Sequence, residues 1–198
     1  IIATTKNKED DEIISLCENL EIKYFRGDEE DVLKRYYEAA THFKAEKEDI
    51  IVRATSDCPL IDQNILKKAI DLYSVYNCDY VSNTILRTYP RGLDVEVFGY
   101  KALKEAHEKA KESYEREHVT PWIIKNKKTA YLIDEHDNSQ YRLTLDEEED
   151  YKAIKEVYEL LNCKTDFDYK TLIRTLKLFP YVSAINQNIQ QKEYEYSL

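Results

Sequence analysis

Ile50-Ile51-Val52-Arg53-Ala54-Thr55-Ser56-Asp57-Cys58-Pro59-Leu60-Ile61-Asp62 decides how this chain is read. The apolar run Ile50-Ile51-Val52 predicts a buried strand, and Asp57 stands where that strand should end. In open α/β sheets ligands gather at the carboxyl ends of strands, and a carboxylate there can hold a metal ion against phosphate oxygens. Pro59 stops the strand, and Asp62 is placed to cap the helix that Ile65, Leu66 and Ile70 outline.

Outward from this stretch, strands alternate with helices. Upstream, the pattern predicts strands at 1–5 and 22–25. One helix opens at the acidic cluster Glu9-Asp10-Asp11-Glu12 and another covers 29–44. Downstream, strands at 79–83, 93–98, 130–133 and 141–145 are interleaved with helices over 63–76, 101–111, 116–125, 147–161 and 168–178. A loose polar tail is expected from Gln187. In the segment 93–98, Leu93, Val95 and Val97 alternate with Asp94 and Glu96, which reads as a half-exposed strand. Alternation with short connections implies a single α/β domain, a three-layer α/β/α sandwich around a mixed, mostly parallel sheet. At 198 residues the chain can bury one substantial core.

Composition excludes several classes. The net charge of −10 disfavours nucleic acid as a partner. No apolar run approaches the roughly 20 residues of a membrane span, so no membrane insertion is expected. Cys17, Cys58, Cys78 and Cys163 lie far apart without C-x-x-C spacing, which fits reduced thiols in a cytoplasmic protein better than a zinc site or disulfide framework. Cys58 beside Asp57 reads as a small packed residue or as a nucleophile. With Gly27, Gly92 and Gly99 the only glycines, no glycine-rich phosphate loop is present. The chain has no methionine and opens on Ile1-Ile2-Ala3-Thr4-Thr5, from which we expect coding sequence upstream.

A second acid, Asp146, ends the strand Leu143-Thr144-Leu145 and precedes a helix, repeating the geometry at Asp57. Two carboxylates at one sheet edge could share a magnesium ion, which prefers oxygen ligands and keeps waters for a substrate phosphate. Asp146 also reads as a helix cap, with the following acids complementing the helix dipole. Arg53 and Arg142 sit on strands close to these aspartates; each either pairs with a structural acid or grips phosphate. Arg91, Asp94 and Glu96 read as substrate contacts or as the solvated face of an edge strand. Arg116, Glu117 and His118 cluster at a helix start, where His118 could shuttle a proton or cap the helix.

Six segments in this order carry a resemblance: Phe25-Arg26-Gly27-Asp28-Glu29-Glu30-Asp31-Val32-Leu33, Arg53 to Asp62, Asp79-Tyr80-Val81-Ser82-Asn83-Thr84, Tyr89 to Phe98, Tyr114 to Pro121, and Leu143-Thr144-Leu145-Asp146. Together they resemble the cytidylyltransferase family that activates acidic sugars, in its spore coat polysaccharide branch, over nearly the whole chain. The resemblance implies a nucleotide-diphospho-sugar transferase fold. It also implies a magnesium-dependent attack of a sugar hydroxyl on the α-phosphate of CTP, with release of pyrophosphate. It assigns Asp57 and Asp146 to the metal, the Gly27 to Leu33 segment with Asp31 and Arg53 to the nucleotide, and Arg91 to Glu96 and Arg116 to Thr120 to the sugar. It further implies a homodimer, for which the Tyr89 to Phe98 region is the expected contact.

In two places the chain departs from the family pattern. It starts after the family's first strand and triphosphate loop, so a sheet missing its first strand and an inactive fragment are expected. Glu147 to Asp150 also replaces the threonine and proline usual after the aspartate. Two rivals remain from the residues alone. One is a nucleotide-sugar-dependent glycosyltransferase of cell-surface polysaccharide synthesis; the other is a scaffold domain whose acids are only caps.

Overall fold

Short β-branched and aromatic runs become strands here, and the amphipathic stretches between them become helices. The structure, a computed structural model, describes residues 1–190. In chain order the elements are β1 (Ile2–Thr5), α1 (Asp11–Asn19), β2 (Tyr24–Gly27), α2 (Val32–His42), β3 (Ile50–Arg53), α3 (Gln63–Tyr76), β4 (Tyr80–Ser82), β5 (Glu96–Gly99), α4 (Tyr100–Lys109), α5 (Ser113–His118), α6 (Pro121–Asn126), β6 (Thr129–Tyr131), α7 (Glu148–Leu160), α8 (Tyr169–Leu178) and α9 (Pro180–Ile185). The mixed α/β class read from the sequence is the one observed. The tail expected from Gln187 falls mostly on residues 191–198, outside the described ones.

The chain packs as two compact units. The first comprises residues 1–51 and 98–128. In it β1 and β2 pair in parallel, with Ile2 opposite Tyr24 and Thr5 opposite Gly27, and α2 packs against α4 and α5. The second comprises residues 52–97 and, among the described residues, 129–190. Its core gathers Leu60, Ile65, Val81, Leu93, Val95, Leu143, Val157 and Leu172; each such side chain contributes about 1.5–3 kcal/mol by leaving water. Strands β3, β5, β4 and β6 form a sheet in that order, β4 and β6 being parallel.

Several sequence expectations need correction. The segment 93–98 is no half-exposed edge: β5 is an internal strand, and Leu93, Val95, Val97 and even Glu96 are buried. Alternation misleads there because Glu96 has an ionic partner inside. Tyr89 and Phe98, the ends of the region expected as a dimer contact, are buried within the chain. The helix expected over 116–125 is two helices. They break at Val119, whose φ of 72° and Thr120 N–H to His118 C=O bond of 2.8 Å form a tight three-residue turn. Pro121 then begins α6. The strand expected at 141–145 is an extended segment with one ladder bridge, Arg91 to Arg142. Helix α9, started by Pro180, was not anticipated.

Candidate active site

The turn after β3 is built from its own polar residues. Cys58 N–H bonds Thr55 C=O (3.1 Å), and Asp62 caps α3 by accepting from Asn64 N–H (2.5 Å) and Ile65 N–H (3.2 Å). The other Asp62 oxygen accepts from Tyr169 N–H at 2.5 Å, so this buried acid also fixes the start of α8. Asp57 is half-buried in this turn, past the end of β3 at Arg53 rather than on the strand end expected.

The segment carrying the second acid docks on Asp57. Leu145 N–H donates to Asp57 C=O (2.8 Å), and the Thr144 hydroxyl donates to Asp57 C=O (3.3 Å) and to its carboxylate (3.2 Å). Asp146 is the next residue, and its side chain is exposed. Gly92 permits this approach from the far side. Its φ is +96°, and a Cβ there would lie 2.2 Å from the Leu143 carbonyl carbon. The Arg91 N–H to Tyr141 C=O bond (3.1 Å) and the Leu143 N–H to Arg91 C=O bond (2.7 Å) complete the contact.

Asp150 anchors the chain around Asp146 and Glu147. Fully buried, it accepts from Arg142 Nε (2.8 Å) and Nη2 (2.7 Å), Asn186 Nδ2 (2.8 Å), Asp146 N–H (3.1 Å) and Glu147 N–H (3.0 Å). Burial pushes its carboxyl up, but the Arg142, Asn186 and backbone donors outweigh this and hold it below the usual carboxylate range. Arg142 also donates to Asp146 Oδ2 at 2.9 Å. Asp146 is therefore not the cap of α7; Glu147 occupies that position. Sequence reasoning took Asp150 for a helix-dipole acid and passed over Asn186. The Glu147-x-x-Asp150 spacing was the available signal, since the fourth residue of such a box bonds back to the first.

Other candidate residues are engaged with protein partners. Arg53 pairs with Glu96, which also accepts from the Tyr80 hydroxyl (2.6 Å). Arg87 grips Asp94 with two bonds of 2.6 and 3.0 Å. In the other unit, Gly27 ends β2 beside Arg35. Asp31 caps α2 through Lys34 N–H (2.9 Å) and receives Arg116 Nε (3.0 and 3.1 Å) and Nη2 (2.6 Å). The sequence assigned Asp31 to the nucleotide and Arg116 to the sugar; the fold ties them to each other. Glu117 is exposed and His118 half-buried at the end of α5. Cys58 is a packed thiol: burial pushes it up to about 12, the Thr55 hydroxyl opposing this and the Asp57 and Asp94 carboxylates adding to it.

No cluster of three or more acidic, histidine or cysteine side chains is poised for a metal among the described residues. Magnesium is commonly held by one or two carboxylates while substrate phosphates and water supply the rest; the acids nearest the Thr144–Leu145 contact are Asp57 and Asp146.

Against known proteins, the sequence model of the family described as Cytidylyltransferase matches residues 1–195. The chain belongs to the cytidylyltransferase family. A solved cytidylyltransferase from Leptospira borgpetersenii superposes with a TM-score of 0.85 at 34% identity, over 96% of this chain and 79% of that one. The spore coat polysaccharide biosynthesis protein SpsF of Bacillus subtilis is 31% identical over 91% of this chain and 75% of its own length. The uncharacterized protein MJ1063 of Methanocaldococcus jannaschii is 39% identical over 98% of this chain and 79% of its own. Family membership implies nucleotidyl transfer with a nucleotide substrate. No helix among the described residues is long and apolar enough to cross a membrane.

Proposed function

We propose that this cytidylyltransferase activates an acidic sugar for surface polysaccharide assembly, transferring CMP from CTP and releasing pyrophosphate in the cytoplasm. The reading rests on one observation above the rest: the Thr144–Leu145 segment hydrogen-bonds Asp57, so the chain that carries Asp146 docks beside Asp57 within one unit. The likeness to SpsF supports a sugar as acceptor.

In this reaction a sugar hydroxyl oxygen bonds the α-phosphorus, its proton leaves to solvent, and the bond from that phosphorus to the pyrophosphate oxygen breaks. Asp57 and Asp146 would hold magnesium, which supplies charge neutralisation at the phosphates. Thr144 orients the Asp57 carboxylate, and Arg142 with Asp150 holds the chain at Asp146.

The test is pyrophosphate release from CTP with magnesium and a panel of sugar acids. Asp57→Asn and Asp146→Asn should each lower kcat/KM about 100-fold or more with the fold retained. Full activity in both variants, or release independent of the sugar acid, refutes the reading. Glycosyl transfer from a nucleotide sugar in place of pyrophosphate release favours a glycosyltransferase.

A further inference from the structure

Helices α2, α4 and α5 of the first unit meet around one imidazole. The His107 ring lies on Tyr37, with centroids 4.4 Å apart and planes 13° from parallel, and Tyr37 in turn stacks on Tyr100 at 6.0 Å. From α5, Arg116 reaches the same histidine twice. Its Nη1 donates to the His107 carbonyl (2.7 Å), and its Nη2 lies 3.3 Å from Nδ1. A guanidinium has donors only, so this contact requires Nδ1 to be the accepting, unprotonated nitrogen. The proton of neutral His107 then sits on Nε2.

A proton added at Nδ1 would turn donor against donor and set two cations side by side. The partners are not equally free to yield. Arg116 is held by Asp31 through Nε (3.0 and 3.1 Å) and Nη2 (2.6 Å), besides its bond to the His107 carbonyl. The half-buried imidazole rests on its stack with Tyr37 and its contact with Arg116. Charges around the ring pull both ways. Burial first, and Arg116 after it, oppose imidazolium, while Asp31 ahead of α2, Glu38 on α2 and Glu108 on α4 favour it; the opposition prevails. Helix α6, which also packs on α4, directs Lys127 to Glu105 at 2.8 Å.

We propose that His107 is an acid-operated latch between α2 and α4: neutral, it joins Tyr37 to Arg116; protonated at Nδ1, it leaves the stack and loosens the seam. Arg116 stays with Asp31, so the attachment of α5 to the start of α2 survives while α2 and α4 part more readily. The latch does not depend on cytidylyl transfer, and its test reads conformation alone.

The experiment is an NMR titration of the histidine rings of the full chain from about pH 8 to about pH 4.5, joined to amide exchange over α2 and α4. His107→Gln assigns the His107 signal by its loss. Above the transition the ring protons should carry ring-current shifts and NOEs to Tyr37; below it both should vanish while the Arg116 Nε–H signal persists. Protection factors within 32–42 and 100–109 should fall about fivefold across that transition, as loss of one aromatic stack implies. In His107→Gln they should not fall there, because the amide oxygen can still accept from Arg116 but carries no titrating proton. Arg116→Gln should move the transition to higher pH, since the opposing cation is gone. If that variant does not fold, the NOEs of the parent and the exchange of His107→Gln decide. NOEs to Tyr37 that outlast protonation, a transition unmoved in folded Arg116→Gln, or an equal loss of protection in His107→Gln overturns the proposal.

Discussion

Replacing Asp150 by Asn removes the charge from the most deeply buried ion pair of the chain's second unit. Asp150 is fully buried and the Arg142 side chain only 12% exposed. One Asp150 oxygen serves Arg142 Nε and Asn186, while the other serves Arg142 Nη2 and the N–H groups of Asp146 and Glu147. Whichever oxygen becomes an amide nitrogen must then face two or three donors, and the guanidinium loses its buried counter-charge. Breaking one side of a buried pair costs about 3–5 kcal/mol. Arg142 keeps its 2.9 Å bond to the partly exposed Asp146, so the lower end, about 3 kcal/mol, is expected. For a chain of this length that is a fall in Tm of roughly 6–12 °C.

The sign with pH is set by the lowered carboxyl. A group whose folded pKa is depressed adds stability above its unfolded value near 4, and that stability is lost as pH falls through the folded pKa. Urea unfolding of Asp150→Asn and the parent protein should therefore differ by about 3 kcal/mol at pH 7, with the gap closing toward pH 2. A gap under 1 kcal/mol at pH 7, or one that does not change with pH, refutes the reasoning.

Three further outcomes are expected. Gly92→Ala should lower Tm sharply, since strain at positive φ alone costs about 1–2 kcal/mol and the added Cβ would sit 2.2 Å from the Leu143 backbone; an unchanged melt contradicts the close approach. Under native conditions at pH 8, iodoacetamide should modify the exposed Cys163 and spare Cys58, whose thiol burial lifts to about 12; peptide mass mapping decides. His107, stacked on Tyr37 at 4.4 Å, has its pKa lowered by burial and then by Arg116. Its contribution should be complete above about pH 6.5 and fade as pH falls through the depressed value. His107→Gln should flatten that part of the stability–pH curve, and a variant with the parent's slope there argues against the assignment.

That Asp57 lies in the loop between a strand and a helix was legible, because such a loop stands at one end of the sheet wherever the rest of the chain goes; the strand expected before Asp146 did not form. The cap at Asp62 was legible because capping involves groups only two or three residues away. The roles of Arg53, Glu96, Asp31 and Arg116 were not. Each is a charged residue whose partner lies far along the chain, 85 residues away for Arg116 and Asp31, and spacing carries no record of such pairings.

Period and punctuation in this sequence determine the order of strands and helices, the apolar faces that make the core, and the placing of two acids ahead of helices, because these depend on each residue's near neighbours and on water's aversion to apolar surface. Tertiary structure alone decides which charges satisfy one another. Arg142 could have been drawn to a ligand phosphate or to a protein carboxylate. Burial of Asp150 beside it settled the matter, since a carboxylate cannot leave water at tolerable cost without a cation and donors already in place.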